Sequence, residues 1–483
     1  MADVHAAAAA LGEFGIVLEG QVVTTGHTFE VRSPYDQALV GTVHYAGPAE
    51  IERAIAGAER AFQVTRKLST WKREAILLAV AAGIAGRREA LARIIALEAG
   101  KPIKTARLEV DRAAFAFRVA AEETKRIHGE ILSLDWLPGT EGREGHLRRI
   151  PLGPIAGITP FNFPLLLVAH KVAPAMAAGN PVIIRPGART PISALELGRI
   201  VIEAGWPAEG HAVIPCSIED TALLVKDERI KLLSFTGSPA VGWELKSRVG
   251  RKRLTLELGG NAAVIVHRDA DVPYAAERVA FGGYSYAGQS CISAQRIYVH
   301  EDVYDAFAAD LVRRAKALKF GDPLVDDTDV GPVIDGVAAD RIGEWLEEAE
   351  AAGARVLTGG TRHGAVWAPT VIEGAPAAAR VNCREVFAPL VSLMKYTDVH
   401  EAIGAANAGD FGLQAGIFTH DERVISAAID GIDAGGIMIN DSSTFRVDHM
   451  PYGGVKQSGF GREGLRYAIE EMTEMKLVVY HRR

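Results

Sequence analysis

Cys291 stands in the run Phe281-Gly-Gly-Tyr-Ser-Tyr-Ala-Gly-Gln-Ser-Cys291-Ile-Ser-Ala-Gln, among glycines and other small residues. A structural cysteine usually packs among apolar side chains, where its thiol is inert. Cys291 instead follows a Gly-Gln-Ser turn, so its backbone can approach a reactant closely and its sulfur can be reached. Taken alone it is a candidate nucleophile, and a packed structural thiol fits the same run. The elements that would position it are a helix-like, alanine-rich run over 272–280 and a strand-like run over 295–300.

Asn162 stands in Thr159-Pro-Phe-Asn-Phe-Pro164, Glu257 in Leu256-Glu-Leu-Gly-Gly260, and Glu385-Val-Phe387 precedes Ala388-Pro389. Together with the Gly-Gln-Ser-Cys turn, in this order and at these separations, they resemble the aldehyde dehydrogenase superfamily. The resemblance runs from about residue 51 to residue 479. It implies that Cys291 attacks an aldehyde carbonyl to give a thiohemiacetal, whose hydride leaves to a nicotinamide cofactor, NAD or NADP. Free cysteine is only a few per cent thiolate near neutrality, so the site must help it.

In the same reading Asn162 holds the developing oxyanion through its amide N–H, partnered by the backbone N–H of Cys291. By itself it is a turn asparagine beside prolines. Glu257 lies between Leu256 and Leu258, an apolar setting that raises a carboxylate pKa, and would activate water for thioester hydrolysis. The alternation in Leu254-Thr-Leu-Glu-Leu also allows it to face solvent. Lys171, in His170-Lys-Val-Ala-Pro, either favours an anionic nucleophile by its charge or is a solvated helix lysine. Cys216 and Cys383 are expected to be structural.

The strand expected over 232–235 runs into Thr236-Gly-Ser-Pro-Ala-Val-Gly242. Ser238 is a good N-cap and Pro239 a favoured first helical residue, and a helix N-terminus after a strand can receive a pyrophosphate. The family resemblance adds Thr159, Pro160, Phe161, Gly237 and Leu258 to the cofactor side. It also gives Glu385 the ribose hydroxyls and places Phe387 near the nicotinamide ring; alone these are a surface glutamate and a core phenylalanine. Gly459-Phe-Gly461-Arg-Glu-Gly464 matches GxGxxG, but no strand is expected before it, and it reads as a chance match. Where family members often carry Lys-Pro-Ser-Glu after the second strand, this chain has Arg185-Pro-Gly-Ala188-Arg189. The carboxylate that repels a 2′-phosphate is absent there, and Arg185 or Arg189 is free to pair with that phosphate.

On the substrate side the resemblance points to Phe163 and to Arg446 in Asp441-Ser-Ser-Thr-Phe-Arg446-Val-Asp-His-Met-Pro-Tyr-Gly-Gly454. This stretch looks most like the branch acting on lactaldehyde, glyceraldehyde 3-phosphate and related short polar aldehydes. Arg446 offers a planar, permanently charged fork for an anion. A salt bridge to Asp448, or a subunit contact, explains it equally well.

A chain of 483 residues implies two or three domains. Hydrophobic content of 48% with 23% charge is that of an ordinary globular enzyme, and a net charge of −7 makes no case for nucleic acid or anionic membrane. Three widely spaced cysteines suit a reducing cytosol better than a disulfide framework. Residues 150–170 are long and uncharged enough to span a membrane, but Pro151, Pro154, Pro160 and Pro164 favour a buried strand and loop. No cluster has metal-ligand spacing.

Helices are expected over 71–86, up to Gly100, over 109–127, 168–178, 192–204, 220–226, 304–318 and 338–352. Strands are expected over 154–159, 182–185, 212–215 and 232–235, and again over 262–267, 295–300, 355–357 and 370–372. This alternation predicts an α/β chain with two open parallel sheets. A cofactor domain is expected over 1–128 and 147–254 and a catalytic domain over 255–462. A hairpin and tail (129–146 and 463–483) form a small β arm, which in the family pairs subunits and so implies a homodimer or homotetramer. The expected activity is NAD(P)-dependent oxidation of a short polar or anionic aldehyde in the cytoplasm, without membrane or nucleic-acid partners. An acylating enzyme, or a non-catalytic protein on the same fold, is the alternative.

Overall fold

The computed structural model describes residues 10–482. Its larger sheet has eight strands, in the order Gly459–Phe460, Arg253–Glu257, Leu232–Thr236, Ile155–Ile158, Val182–Arg185, His211–Val213, Ile16–Leu18, Gln21–Val23. The inner five are parallel. Four of them are mostly apolar because both faces are covered, while Arg253–Glu257 alternates polar and apolar residues. Helix Leu166–Ala178 on one face is buried along its whole length. Its two polar side chains, His170 and Lys171, must therefore find partners inside the protein.

Ile155–Ile158 is the first inner strand along the chain. Val182–Arg185 and His211–Val213 are then added on one side of it, and Leu232–Thr236 and Arg253–Glu257 on the other. The order reverses between Ile155–Ile158 and Leu232–Thr236, where ligands of such sheets bind beyond the carboxyl ends of the strands. The chain leaving those ends carries Thr159 to Asn162 and Gly237 to Ser238.

The second sheet has seven strands, in the order Arg355–Thr358, Thr370–Glu373, Leu390–Tyr396, Ala294–His300, Ala262–Val266, Gln414–Phe418, Gly436–Ile439. Only its Arg355–Thr358 edge is antiparallel. A small antiparallel sheet pairs Thr473–His481 with Arg143–Pro151, and the latter with Glu130–Ser133. Exposed Ile131, Leu477 and Val479 lie on this arm.

Local differences from expectation have simple causes. The helix expected over 109–127 runs from Ile103 to Thr124, because Pro102 at its N-cap is compatible with an earlier start. Gly100 closes the preceding helix Arg88–Ala99 in the left-handed conformation, φ 66°. The first ~30 residues read in sequence as a disordered tip followed by a short hairpin; the hairpin is Ile16–Leu18 with Gln21–Val23, and residues 1–9 lie outside the described residues. The glycine-rich GxGxxG match opens as an edge strand on Arg253–Glu257, and a Cβ at Gly459 would meet the Leu256 carbonyl at 2.5 Å. Among the described residues, no helix is long and apolar enough to cross a membrane, and no group of three or more His, Cys, Asp or Glu could hold a metal.

Candidate active site

The turn that presents Cys291 is built under backbone strain. Helix Val272–Tyr284 ends just before it, and Tyr286 and Ala287 both take left-handed backbone (φ 49° and 54°). Such conformations cost free energy and persist only where the surroundings impose them. Here Gly288 packs so tightly on the Ala388 carbonyl that a Cβ would lie 1.9 Å from its oxygen. The Gln289 side chain accepts from the Ile334 N–H at 2.9 Å and donates to the Pro332 carbonyl at 3.3 Å.

Cys291 faces a cavity of about 540 Å³ that also touches Asn162, Glu257, Phe163 and Arg446. Burial pushes its thiol up to about 12, against the hydrogen bond with Tyr452 and the positive charge of Arg446. The Cys291 sulfur and the Tyr452 hydroxyl are 2.9 Å apart. Asn162 donates from Nδ2 to the Gln289 carbonyl at 3.0 Å, which ties it to the cysteine turn and leaves its second amide N–H available.

Glu257 ends strand Arg253–Glu257 and is 3% exposed, so the solvent-facing reading of this residue is wrong. Neither of its carboxylate oxygens has a hydrogen-bond partner in the protein. Burial raises its pKa well above the ordinary carboxylate range, and the charge of Glu463 raises it further. Glu463 itself is held below that range: burial opposes its charge, but Lys171, His170 and Arg446 outweigh burial.

Lys171 is fully buried, so it is not a solvated helix lysine. Its ammonium donates to Ser234 (2.9 Å), Thr236 (2.8 Å) and Glu463 (3.0 Å), and it does not line the cavity. The cation acting on the thiol is Arg446, whose guanidinium lies 3.5 Å over the Tyr452 ring. Arg446 also donates to His170 Nδ1 at 3.2 Å and lies 3.7 Å from Glu463, while its Nε has no partner. The expected alternative of an Arg446–Asp448 salt bridge is not formed. Asp448 instead accepts from Arg112 at 2.7 Å and from His170 at 3.0 Å. Tyr452, Glu463, His170 and Arg112 are the neighbours that sequence reasoning missed.

At the other end of the cavity lie Pro160, Phe161, Gly237, Ser238, Leu258, Glu385 and Phe387. Phe161 and Phe387 face each other edge-on with centroids 6.0 Å apart. Glu385 accepts from the Gly260 N–H at 2.9 Å, and burial raises its pKa to about 7. A Cβ at Gly259 would lie 2.4 Å from the Glu385 carboxylate. Ser238 starts helix Pro239–Arg248 without a side-chain cap, so the first N–H groups there are unclaimed. Thr159, Arg185, Ala188 and Arg189 do not line this cavity. Thr159 is buried, and Arg185 donates to the carbonyls of Pro186 and Cys216. Ala188 is exposed, and Arg189 pairs with Asp335 at 2.8 Å.

A doubly wound sheet whose switch point opens on a cavity shared with residues of a second α/β sheet is an arrangement suited to a dinucleotide-dependent enzyme. The family model described as "Aldehyde dehydrogenase family" matches residues 22–478, and the chain belongs to that family. It is 41% identical over 468 residues to a 3-sulfolactaldehyde dehydrogenase of Priestia megaterium, covering 97% of this chain and 98% of that protein. Among solved structures it resembles aldehyde dehydrogenase 21 from Physcomitrella patens in complex with the reaction product succinate (42% identity, TM-score 0.96, 97% and 98% of the two chains covered). It also resembles glyceraldehyde-3-phosphate dehydrogenase GapN from Methanocaldococcus jannaschii complexed with NADP (37% identity, TM-score 0.91, 95% and 100% covered). The residues of this cleft fit a dinucleotide: an uncapped helix start, a carboxylate against glycine, and an edge-to-face aromatic pair.

Proposed function

We propose that the chain oxidises a short, anionic or hydroxylated aldehyde to its carboxylic acid, with Cys291 as nucleophile. The observation that carries this is one cavity bounded by Cys291, Asn162, Glu257 and Arg446. Bound NAD or NADP supplies the hydride acceptor. Gly237, Ser238 and Leu258 would hold it on the sheet, Glu385 its ribose, and Phe161 and Phe387 its ring. Cys291 gives up its S–H proton to solvent through the cavity and adds as the thiolate to the carbonyl carbon, leaving the negative charge on the thiohemiacetal oxygen. Asn162 and the Cys291 backbone N–H hold the oxyanion. After hydride loss the thioester is opened by a water whose proton goes to Glu257. Because Glu257 is present, hydrolysis is favoured over transfer of the acyl group to a second acceptor. The exposed apolar residues of the small arm support pairing with a second copy, as a dimer or tetramer.

The anionic preference rests on Arg446, and it agrees with the sulfolactaldehyde of one relative and the succinate bound to another. Arg446→Ala is expected to raise KM for an anionic aldehyde about ten- to hundredfold, the loss of one charged hydrogen bond, and hardly to move KM for propanal. Initial rates on both aldehydes measure this, and equal losses would place Arg446 in the scaffold.

Cofactor choice follows from Ala188, which leaves no carboxylate to repel a 2′-phosphate. NADP is expected to be used within about tenfold of NAD in kcat/KM. Arg185 and Arg189 would each have to leave a present partner to reach the phosphate, so their help is smaller than the missing repulsion. A preference for NAD above about a hundredfold would overturn this expectation.

A further inference from the structure

Lys101 is 1% exposed, at the junction between helices Arg88–Ala99 and Ile103–Thr124, outside every stretch given a role above. A buried lysine must be paired or lose its charge. Lys101 pairs with Glu109, and its Nζ lies 3.6 Å from the ring centroid of Phe163 and 4.3 Å from that of Tyr286. Phe163 follows Asn162 directly. Tyr286 is the first of the two left-handed residues in the turn that presents Cys291.

Glu109 completes the arrangement. Its other carboxylate oxygen accepts from the N–H groups of Leu165 (3.0 Å) and Leu166 (3.2 Å), at the start of the helix that follows Asn162. Tyr286 is anchored a second time, its hydroxyl donating to the Ala99 carbonyl at 2.9 Å. Both halves of the reacting centre thus converge on a single ammonium. The two rings meet edge-on with centroids 6.0 Å apart.

We propose that Lys101 is a positioning residue, its ammonium clamping the loop of Asn162 and the turn of Cys291 at a fixed separation. A cation between two desolvated aromatic faces is held more strongly than at a surface, and displacing reacting groups by about 1 Å costs about a hundredfold in rate. The clamp rests on the assignment of Cys291 and Asn162 above. It predicts that the chemistry needing both groups suffers while the thiol alone does not.

The test compares the full-length native enzyme with Lys101→Met and Lys101→Arg. In Lys101→Met, kcat for aldehyde oxidation should fall about thirtyfold, with KM for the cofactor unchanged within about twofold. Alkylation of Cys291 by iodoacetamide, read by intact mass without aldehyde, should stay within about threefold of native. Lys101→Arg keeps the charge and should recover most of the lost kcat. Native-like kcat in Lys101→Met, a parallel loss of alkylation, or no recovery with arginine would each overturn the clamp. If Lys101→Met does not fold, Tyr286→Leu removes one aromatic face. Its kcat should fall about fivefold at native alkylation rate, and a native kcat there overturns the proposal. Turnover surviving in Cys291→Ala would instead sink the assignment of the nucleophile, so the two failures are distinguishable.

Discussion

Replacing Cys291 by alanine is expected to lower kcat for aldehyde oxidation by at least about ten-thousandfold, with cofactor affinity unchanged. The change removes one sulfur atom and leaves the turn intact, because the turn is held by Gln289, Gly288 and Tyr286 rather than by the thiol. Esterase activity should vanish with dehydrogenase activity, since both need the same acyl acceptor. Cofactor titration by fluorescence and initial rates on an aldehyde and a p-nitrophenyl ester measure the three quantities. Surviving ester hydrolysis would show that another nucleophile, such as the neighbouring Ser290, carries acylation.

The same thiol makes a pH prediction. Its pKa is raised to about 12 by burial, so the free enzyme holds it almost wholly protonated at neutral pH. Raising the pH increases the thiolate fraction. Alkylation of the cofactor-free enzyme should therefore climb about tenfold per pH unit to at least about pH 10, without a plateau near neutrality. The hydrogen bond with Tyr452 and the charge of Arg446 lower the thiol without offsetting burial.

Much of this architecture was legible locally. Four inner strands of the larger sheet, over 155–158, 182–185, 211–213 and 232–236, are short apolar runs between helical periods, and Gly100 and Gly179 mark helix ends with left-handed backbone. Strands Arg253–Glu257, Leu390–Tyr396, Gln414–Phe418 and Gly436–Ile439 were not anticipated; in Gln414–Phe418, Gly416 lowers strand propensity. The fold needs a glycine there, where a Cβ would lie 2.5 Å from the Asp441 carbonyl oxygen. Cys291, Asn162 and Glu257 stand out through the family resemblance of four motifs in register, while each stretch alone leaves a structural reading open. Their tuning partners do not. Tyr452 meets Cys291 across 161 residues and Glu463 meets Lys171 across 292, separations over which local pattern carries no signal. Glu463 was hidden further by standing inside a glycine-rich match with another apparent meaning. Lys171 and Arg446 were visible as charges, but their partners follow from burial, which composition does not state.

Replacing Glu257 by glutamine is expected to leave acylation nearly intact and to slow deacylation about a hundred- to ten-thousandfold. The reaction should then show a burst of about one NAD(P)H per site, followed by slow turnover, with the acyl-enzyme visible by intact mass. Glutamine keeps the shape but accepts no proton, and no protein hydrogen bond is lost, because neither oxygen of Glu257 has a partner. A slow variant without burst or adduct would remove Glu257 from the deacylation step. The native enzyme carries a matching pH signature. Deacylation needs the ionised carboxylate, whose pKa burial and Glu463 hold well above the ordinary range, so the rate should rise with pH through that elevated value and fall about tenfold per pH unit below it. The sign for stability is opposite. A carboxyl raised on folding contributes stability that is complete below its unfolded pKa and is lost as pH rises through the folded one. Glu463→Gln separates the two causes of the shift. It removes the neighbouring negative charge and leaves Lys171 without its ion-pair partner, and both changes favour ionised Glu257. The deacylation limb should therefore move to lower pH in Glu463→Gln, and an unmoved limb would assign the titration to a group other than Glu257.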